Sequence, residues 1–226
     1  MDIQILHSPS STVAKCILNQ SESITAESGA LMAYNGAVDV TTSTHTKSGG
    51  GILKGLKRML SGESFFINHF SAIQNSEIWF GTPLPGDMKV IHLNGERLIV
   101  AGGAWVASAA SVDVDLKWQG MKSILSGENM FWIQCQGVGP VLLSSFGFIY
   151  EVSVNGEYIV DTGHIVAFEP TLDFSISKSS QNWLDSFLSG EGFVCRFKGQ
   201  GKVWCQSHNP TNFGYELRPY LKPKKQ

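Results

Sequence analysis

Apolar and polar residues alternate strictly in two stretches of this chain. Val112, Val114, Leu116 and Trp118 alternate with Asp113, Asp115 and Lys117, and Leu172, Phe174 and Ile176 alternate with Asp173, Ser175 and Ser177. Period-two patterning of this kind predicts half-buried β-strands. A shorter version starts at Val38-Asp39-Val40. After each strand the period lengthens. Met121, Ile124 and Leu125 fall at helical spacing, as do Trp183, Leu184, Phe187 and Leu188, and each short helix is closed by a glycine. The chain then becomes strand-like again at 65–67, 130–133 and 193–197.

These signals are three copies of one script. Leu-Ser-Gly-Glu occurs at 60–63, 125–128 and 188–191, placing Gly62, Gly127 and Gly190 beside Glu63, Glu128 and Glu191. Upstream, Gly29, Gly103 and Gly163 each precede an aspartate (Asp39, Asp113, Asp173) by ten residues. One such unit has too few residues to cover its own sheet, so the copies are expected to share a core around a pseudo-threefold axis. The expected fold class is all-β with short helices. The organisation is a single domain, 1–226, with repeats at about 20–93, 94–154 and 155–215 and a frayed tail at 216–226. Asn94-Gly95-Glu96 and Asn155-Gly156-Glu157 read as turns. Gly137-Val138-Gly139 and Gly199-Gln200-Gly201 read as hairpin glycines, across which Cys195 and Cys205 would face each other as packed thiols. Pro83-Leu84-Pro85-Gly86-Asp87 has no counterpart in the other copies and reads as a tight loop.

Composition sharpens this picture. Charged residues are only 16% of the chain, against a usual quarter or so, and 24 glycines and 13 phenylalanines fit many turns between well-covered sheets. A net charge of −2 offers no cationic footprint, so nucleic acid is not an expected partner. The four cysteines show no metal or redox spacing and read as reduced, buried thiols of a cytoplasmic protein. The start of the chain lacks the basic and apolar regions of a signal peptide, and no apolar run reaches membrane-spanning length.

The candidate chemistry is sparse. The repeated carboxylates Asp39, Asp113, Asp173, Glu63, Glu128 and Glu191 form either a ring that binds a cation or local acceptors for backbone N–H groups. Repetition favours the second reading, because a catalytic site needs different residues in different roles. The segment 52–60 places Ile52, Leu53, Leu56, Met59 and Leu60 on one helical face and Lys54, Lys57 and Arg58 on the other. That face either docks on an anionic membrane or a protein partner, or packs on the sheet. A phosphate loop fails at Leu56, where the lysine would stand. No catalytic, cofactor or metal set is recognised.

The run from Gly50 to Phe66, Gly-Gly-Ile-Leu-Lys-Gly-Leu-Lys-Arg-Met-Leu-Ser-Gly-Glu-Ser-Phe-Phe, and Pro83-Leu84-Pro85-Gly86-Asp87 resemble signatures of the altered-inheritance-of-mitochondria family, with similarity from about Ile3 to Tyr215. The resemblance implies repeats similar in fold to the tryptophan RNA-binding attenuation protein, a jelly-roll-like unit, and no catalytic residues. Mitochondrial members are associated with inner-membrane organisation, a location not transferred to a chain without a transit-like N-terminus. The expected function is that of a non-enzymatic binding or scaffold protein that self-associates as a homo-oligomer or docks on a protein or membrane. The alternatives are a small-ligand or RNA module using clefts between repeats, and an uncharacterised hydrolase or metal enzyme.

Overall fold

A computed structural model describes residues 1–44, 66–115, 131–178 and 193–221. Fifteen strands occur among them, with one short α-helix. In chain order they are β1 (Asp2–Leu6), β2 (Val13–Leu18), β3 (Ser23–Glu27), β4 (Leu31–Tyr34), β5 (Val38–Thr44), β6 (Phe66–Ala72), β7 (Ser76–Phe80), β8 (Met88–Ala101), β9 (Trp105–Ala109), β10 (Val112–Asp115), β11 (Trp132–Ser144), β12 (Ile149–Asp161), β13 (Ile165–Phe168), β14 (Asp173–Lys178) and β15 (Phe193–Gln206). The helix α1 (Pro210–Leu217) follows. The protein is mostly antiparallel β-sheet: one sheet runs β1-β2-β7-β4, and the other runs β12-β15-β13-β8-β11-β9-β3-β6-β5, with β10 on β11 and β14 on β15.

The strand pairings group the chain into three units offset from the expected repeats, since 94 and 155 fall inside β8 and β12; two long strands make the spine of the second, 88–144. β8 pairs with β11 from Met88↔Ser144 to Ala101↔Trp132, and the outer edge of β11 carries β10 and β9. The third copy has the same plan, with β12 on β15 and then β14 and β13 on the outer edge of β15. The first copy splits each long strand in two. β2 and β3 stand for one strand, and β6 and β7 for the other; β5 lies on β6 and β4 on β7.

Two strand pairs tie neighbouring copies together. β3 of the first pairs with β9 of the second, and β8 of the second with β13 of the third. No described pairing joins the third copy back to the first, so these pairings form a linear series and do not by themselves establish a threefold axis. Three apolar clusters fill the core. One centres on Phe70, Phe80 and Ile78, one on Trp105, Leu98 and Ile133, and one on Phe168, Phe197 and Val203. They cross these units: Leu142 joins the first, Ile67 and Trp204 the second, and Ile99 and Trp132 the third.

The glycine clusters expected to turn the chain do not turn it. β8, β11, β12 and β15 run straight through 94–96, 137–139, 155–157 and 199–201. Gly156 and Gly199 sit opposite each other in the ladder, at φ of +110° and +111°. Glycine takes that backbone conformation without steric cost, so both strands keep pairing through the irregularity. In β11 the register slips between Gln136 and Val138. This bulge absorbs the one residue by which Glu96–Gly103 exceeds Glu157–Gly163. Cys195 and Cys205 consequently lie on one strand, opposite Val160 and Tyr150, and do not face each other. All four cysteines are buried free thiols.

After β15 the chain forms α1, which lies mostly before the expected tail at 216–226. Asn209 caps α1 by accepting from Thr211 N at 2.9 Å and Asn212 N at 3.3 Å, and Pro210 occupies the first turn. The cap's amide also donates to Asp161 at 3.2 Å, tying the helix to the third copy.

Candidate functional site

Several sequence candidates lie outside the described residues: Lys54, Lys57, Arg58, Gly62, Glu63, Gly127, Glu128, Gly190 and Glu191, with their three short helices. The upstream candidates are described, and they do not converge. Asp39, Asp113 and Asp173 are exposed, each on its own ladder opposite Ser71, Gln136 and Lys198 respectively. Among the described residues no group of three His, Cys, Asp or Glu side chains is close enough to hold a metal ion. The three upstream glycines share a position but not a conformation. Gly29 turns the chain at φ +104°, whereas Gly103 and Gly163 sit in 3-10 turns.

One polar cluster was not anticipated. His69 on β6 is held at both ring nitrogens, with Thr25 Oγ1 3.2 Å from Nδ1 and Ser43 Oγ 2.8 Å from Nε2. Both ring nitrogens are met by hydroxyls, Ser43 on one side and Thr25 on the other, and no carboxylate is among these two partners. Thr25 pairs across the seam with Ser108, whose buried hydroxyl has no hydrogen-bond partner. Two residues along β3, burial pushes the Glu27 carboxyl up to about 7.

The most unusual geometry is at the seams. At the joints between copies, Thr25 pairs with Ser108 and Ala26 with Ala107, and Ile99 pairs with Phe168 and Val100 with Ala167. All eight residues are buried. The strands that would make a third joint are β4 and the second half of β12. Each is terminal in its sheet, so each has one edge to which no described strand pairs. Their side chains are correspondingly bare: Met32 is 57% exposed, Tyr34 44% and Ile159 47%.

The Pro83–Asp87 loop has a structural task. Asp87 is buried, and its Oδ1 accepts from Ser8 Oγ at 2.9 Å, Thr12 Oγ1 at 3.2 Å and its neighbour's Met88 N at 2.9 Å. Its backbone exchanges bonds with the turn after β11. Asp87 N donates to Gly147 O at 2.9 Å, Ser145 N donates to Asp87 O at 2.9 Å, and Gly147 N donates to Pro85 O at 3.1 Å. Gly86 allows the approach, since a Cβ there would stand 1.8 Å from Ser145 O. The loop is thus a buried junction between the chain start, the first copy and the turn leading into the third.

Comparison with known proteins bears on the whole of this arrangement. The family model described as mitochondrial biogenesis AIM24 matches residues 3–208. The chain belongs to the AIM24 family. An uncharacterised protein of Streptococcus pyogenes serotype M6 is 27% identical over 210 residues, covering 90% of this chain and 84% of that relative. The X-ray crystal structure of another Streptococcus pyogenes protein superposes with a TM-score of 0.81 at 26% identity, covering 97% of this chain and 99% of that one. The AIM24 match includes β4, β12, the Asp87 junction and both closed seams, and it ends before α1. Among the described residues no helix is long and apolar enough to cross a membrane.

Proposed function

We propose that this AIM24 chain is a non-enzymatic scaffold that self-associates, its exposed strand edges serving as the contact. The observation that carries this reading is the pair of strand edges, on β4 and β12, to which no described strand pairs. β4 reads Leu31-Met32-Ala33-Tyr34, with no charge or proline to deter pairing; its register slips on β7 between Leu31 and Ala33, as β9 and β13 slip on their own partners while still pairing outward. Monomeric proteins blunt such edges, and an apolar one left bare is a pairing surface. The described cluster around His69 pairs the Ser43 hydroxyl with the ring but brings in Thr25 where a carboxylate would orient the imidazole, which favours binding over catalysis. Four buried free thiols suit a reducing compartment such as the cytoplasm. Docking through Lys54, Lys57 and Arg58 rests on residues outside the described set and adds nothing to this reading.

Light scattering and sedimentation velocity across a hundredfold range of protein concentration test the proposal. The expected result is a discrete assembly that dissociates on dilution. A single monomeric species throughout would overturn it.

A further inference from the structure

We infer that β12 of one copy pairs antiparallel with β4 of a second copy, in the register already used twice inside the chain: Ile159 opposite Tyr34 and Val160 opposite Ala33. This deepens the self-association reading and rests on it.

The register follows from the three upstream glycines. Ala26 and Val100 lie three residues before Gly29 and Gly103, and Ala107 and Ala167 lie four residues after Gly103 and Gly163. Those positions meet at both closed seams, Ala26 with Ala107 and Val100 with Ala167. The next pair outward also agrees. Thr25 and Ile99 lie four before their glycines, Ser108 and Phe168 lie five after theirs, and they meet as Thr25↔Ser108 and Ile99↔Phe168. Applied to the glycines still unmatched, the same rule selects Val160 and Ile159 before Gly163, and Ala33 and Tyr34 after Gly29.

The side chains fit that assignment. The position four after the glycine is alanine in all three copies, at Ala33, Ala107 and Ala167. A small side chain there suits close approach of a facing strand. Ala107 and Ala167 are fully buried, while Ala33 is exposed. Ile159 and Tyr34 are 47% and 44% exposed, whereas Ile99 and Phe168 at the same places are 0%. Cross-strand contact between a β-branched and an aromatic residue is a favourable sheet pair. The second copy is favoured over an unrelated partner because this chain carries both halves of the joint, and its own two seams set their pairing. The joint is head-to-tail, so repetition gives a closed ring or an open filament.

Single-cysteine cross-linking of the full chain decides the matter. The native thiols give little background: all four are buried, and burial pushes them up to about 11–12. Tyr34→Cys and Ile159→Cys proteins are oxidised separately and as an equimolar mixture. The inference expects a covalent dimer in the mixture and none in either protein alone, and a ladder in the double variant whose last rung counts the members of a ring. Assembly by light scattering without the mixed cross-link would overturn this register and leave the scaffold reading standing. Monomer throughout would overturn both. A disulfide closed within one monomer of the double variant would show that the chain seals its own third seam. As an independent arm, Ile159→Asp is expected to weaken assembly at least tenfold while the diluted protein keeps its thermal midpoint. Unchanged assembly would count against β12 as the contact.

Discussion

β9 lies on β11 as β4 lies on β7, yet β9 is buried at every residue and β4 has no fully buried residue. Their compositions do not explain this. Leu31-Met32-Ala33-Tyr34 is no more polar than Trp105-Val106-Ala107-Ser108-Ala109. The difference is the neighbour: among the described strands β9 is flanked by β11 and β3, and β4 by β7 alone. Strand-forming character is local, but burial of a strand's edge belongs to whatever lies beside it. The same contrast separates β8 from β12, where Leu98 and Ile99 are covered and Tyr158 and Ile159 are not.

The sharpest way to break the comparison is to truncate one side chain in each setting. Ile99→Ala removes a fully buried side chain from a closed seam and is expected to cost about 2–5 kcal/mol, read from urea denaturation. Ile159→Ala, measured on protein dilute enough to be monomeric, is expected to stay within about 0.5 kcal/mol of wild type. Equal losses would mean that the outer edge of β12 is covered within the monomer.

A second test sets the Asp87 junction against the repeated aspartates. Asp87→Ala strands the hydroxyls of Ser8 and Thr12 and the Met88 N–H, for an expected loss of about 1–3 kcal/mol. Gly86→Ala drives a Cβ into the Ser145 carbonyl and is expected to cost a similar amount, about 1–3 kcal/mol. Asp39→Ala and Asp173→Ala remove exposed carboxylates and are expected to change the denaturation midpoint by less than about 0.5 kcal/mol. A reversal of that order would restore the repeated positions to importance.

This contrast marks how far the sequence could be read. Alternation at Val112–Asp115 and Asp173–Lys178 placed β10 and β14, because side-chain period is a local property. The recurrence of Gly29, Gly103 and Gly163 marked positions that the pairing later makes equivalent. Four features escaped that reading. The glycines at 95, 137, 156 and 199 looked like turns, since a positive φ serves a hairpin and a mid-strand irregularity equally well. Pro83–Asp87 stood out as a loop and a family signature, but its task was hidden, because the partners of Asp87, Ser8 and Thr12, lie far away in the chain. Helix α1 was missed although Asn209-Pro210 is a sound start signal. The His69 cluster joins three separate strands and left no sequence motif at all.

Position two before the upstream glycine offers a comparison by pH. It is Glu27 in the first copy and Asp161 in the third. Asp161 accepts from Gly163 N at 2.8 Å and from the Asn209 amide at 3.2 Å. Burial acts alone on Glu27 and raises it from 4.5 to about 7. The folded protein therefore holds this proton more tightly than the unfolded chain. Its contribution is fully present below about pH 4.5 and is lost as pH rises through about 7. Glu27→Gln is expected to match wild type in acid and, with allowance for partial solvent access, to exceed it by about 1–2 kcal/mol near pH 8. Thermal midpoints of the two proteins across that range give the answer, and parallel curves would remove Glu27 from the account.

The smallest expected effect distinguishes the two closed seams from each other. Ile99 meets Phe168 at one, an apolar pair that leaves no polar atom behind. At the other Thr25 meets Ser108, and the Thr25 hydroxyl is engaged by His69 while the Ser108 hydroxyl has no partner. An unsatisfied hydroxyl in a dry interior costs free energy, and its removal without change of backbone recovers part of that cost. Ser108→Ala is therefore expected to raise stability by up to about 1 kcal/mol, the reverse of the usual sign for a buried substitution. A loss of 1 kcal/mol or more in urea titration would mean that the hydroxyl is bonded in solution, and the two seams would then be equally well made.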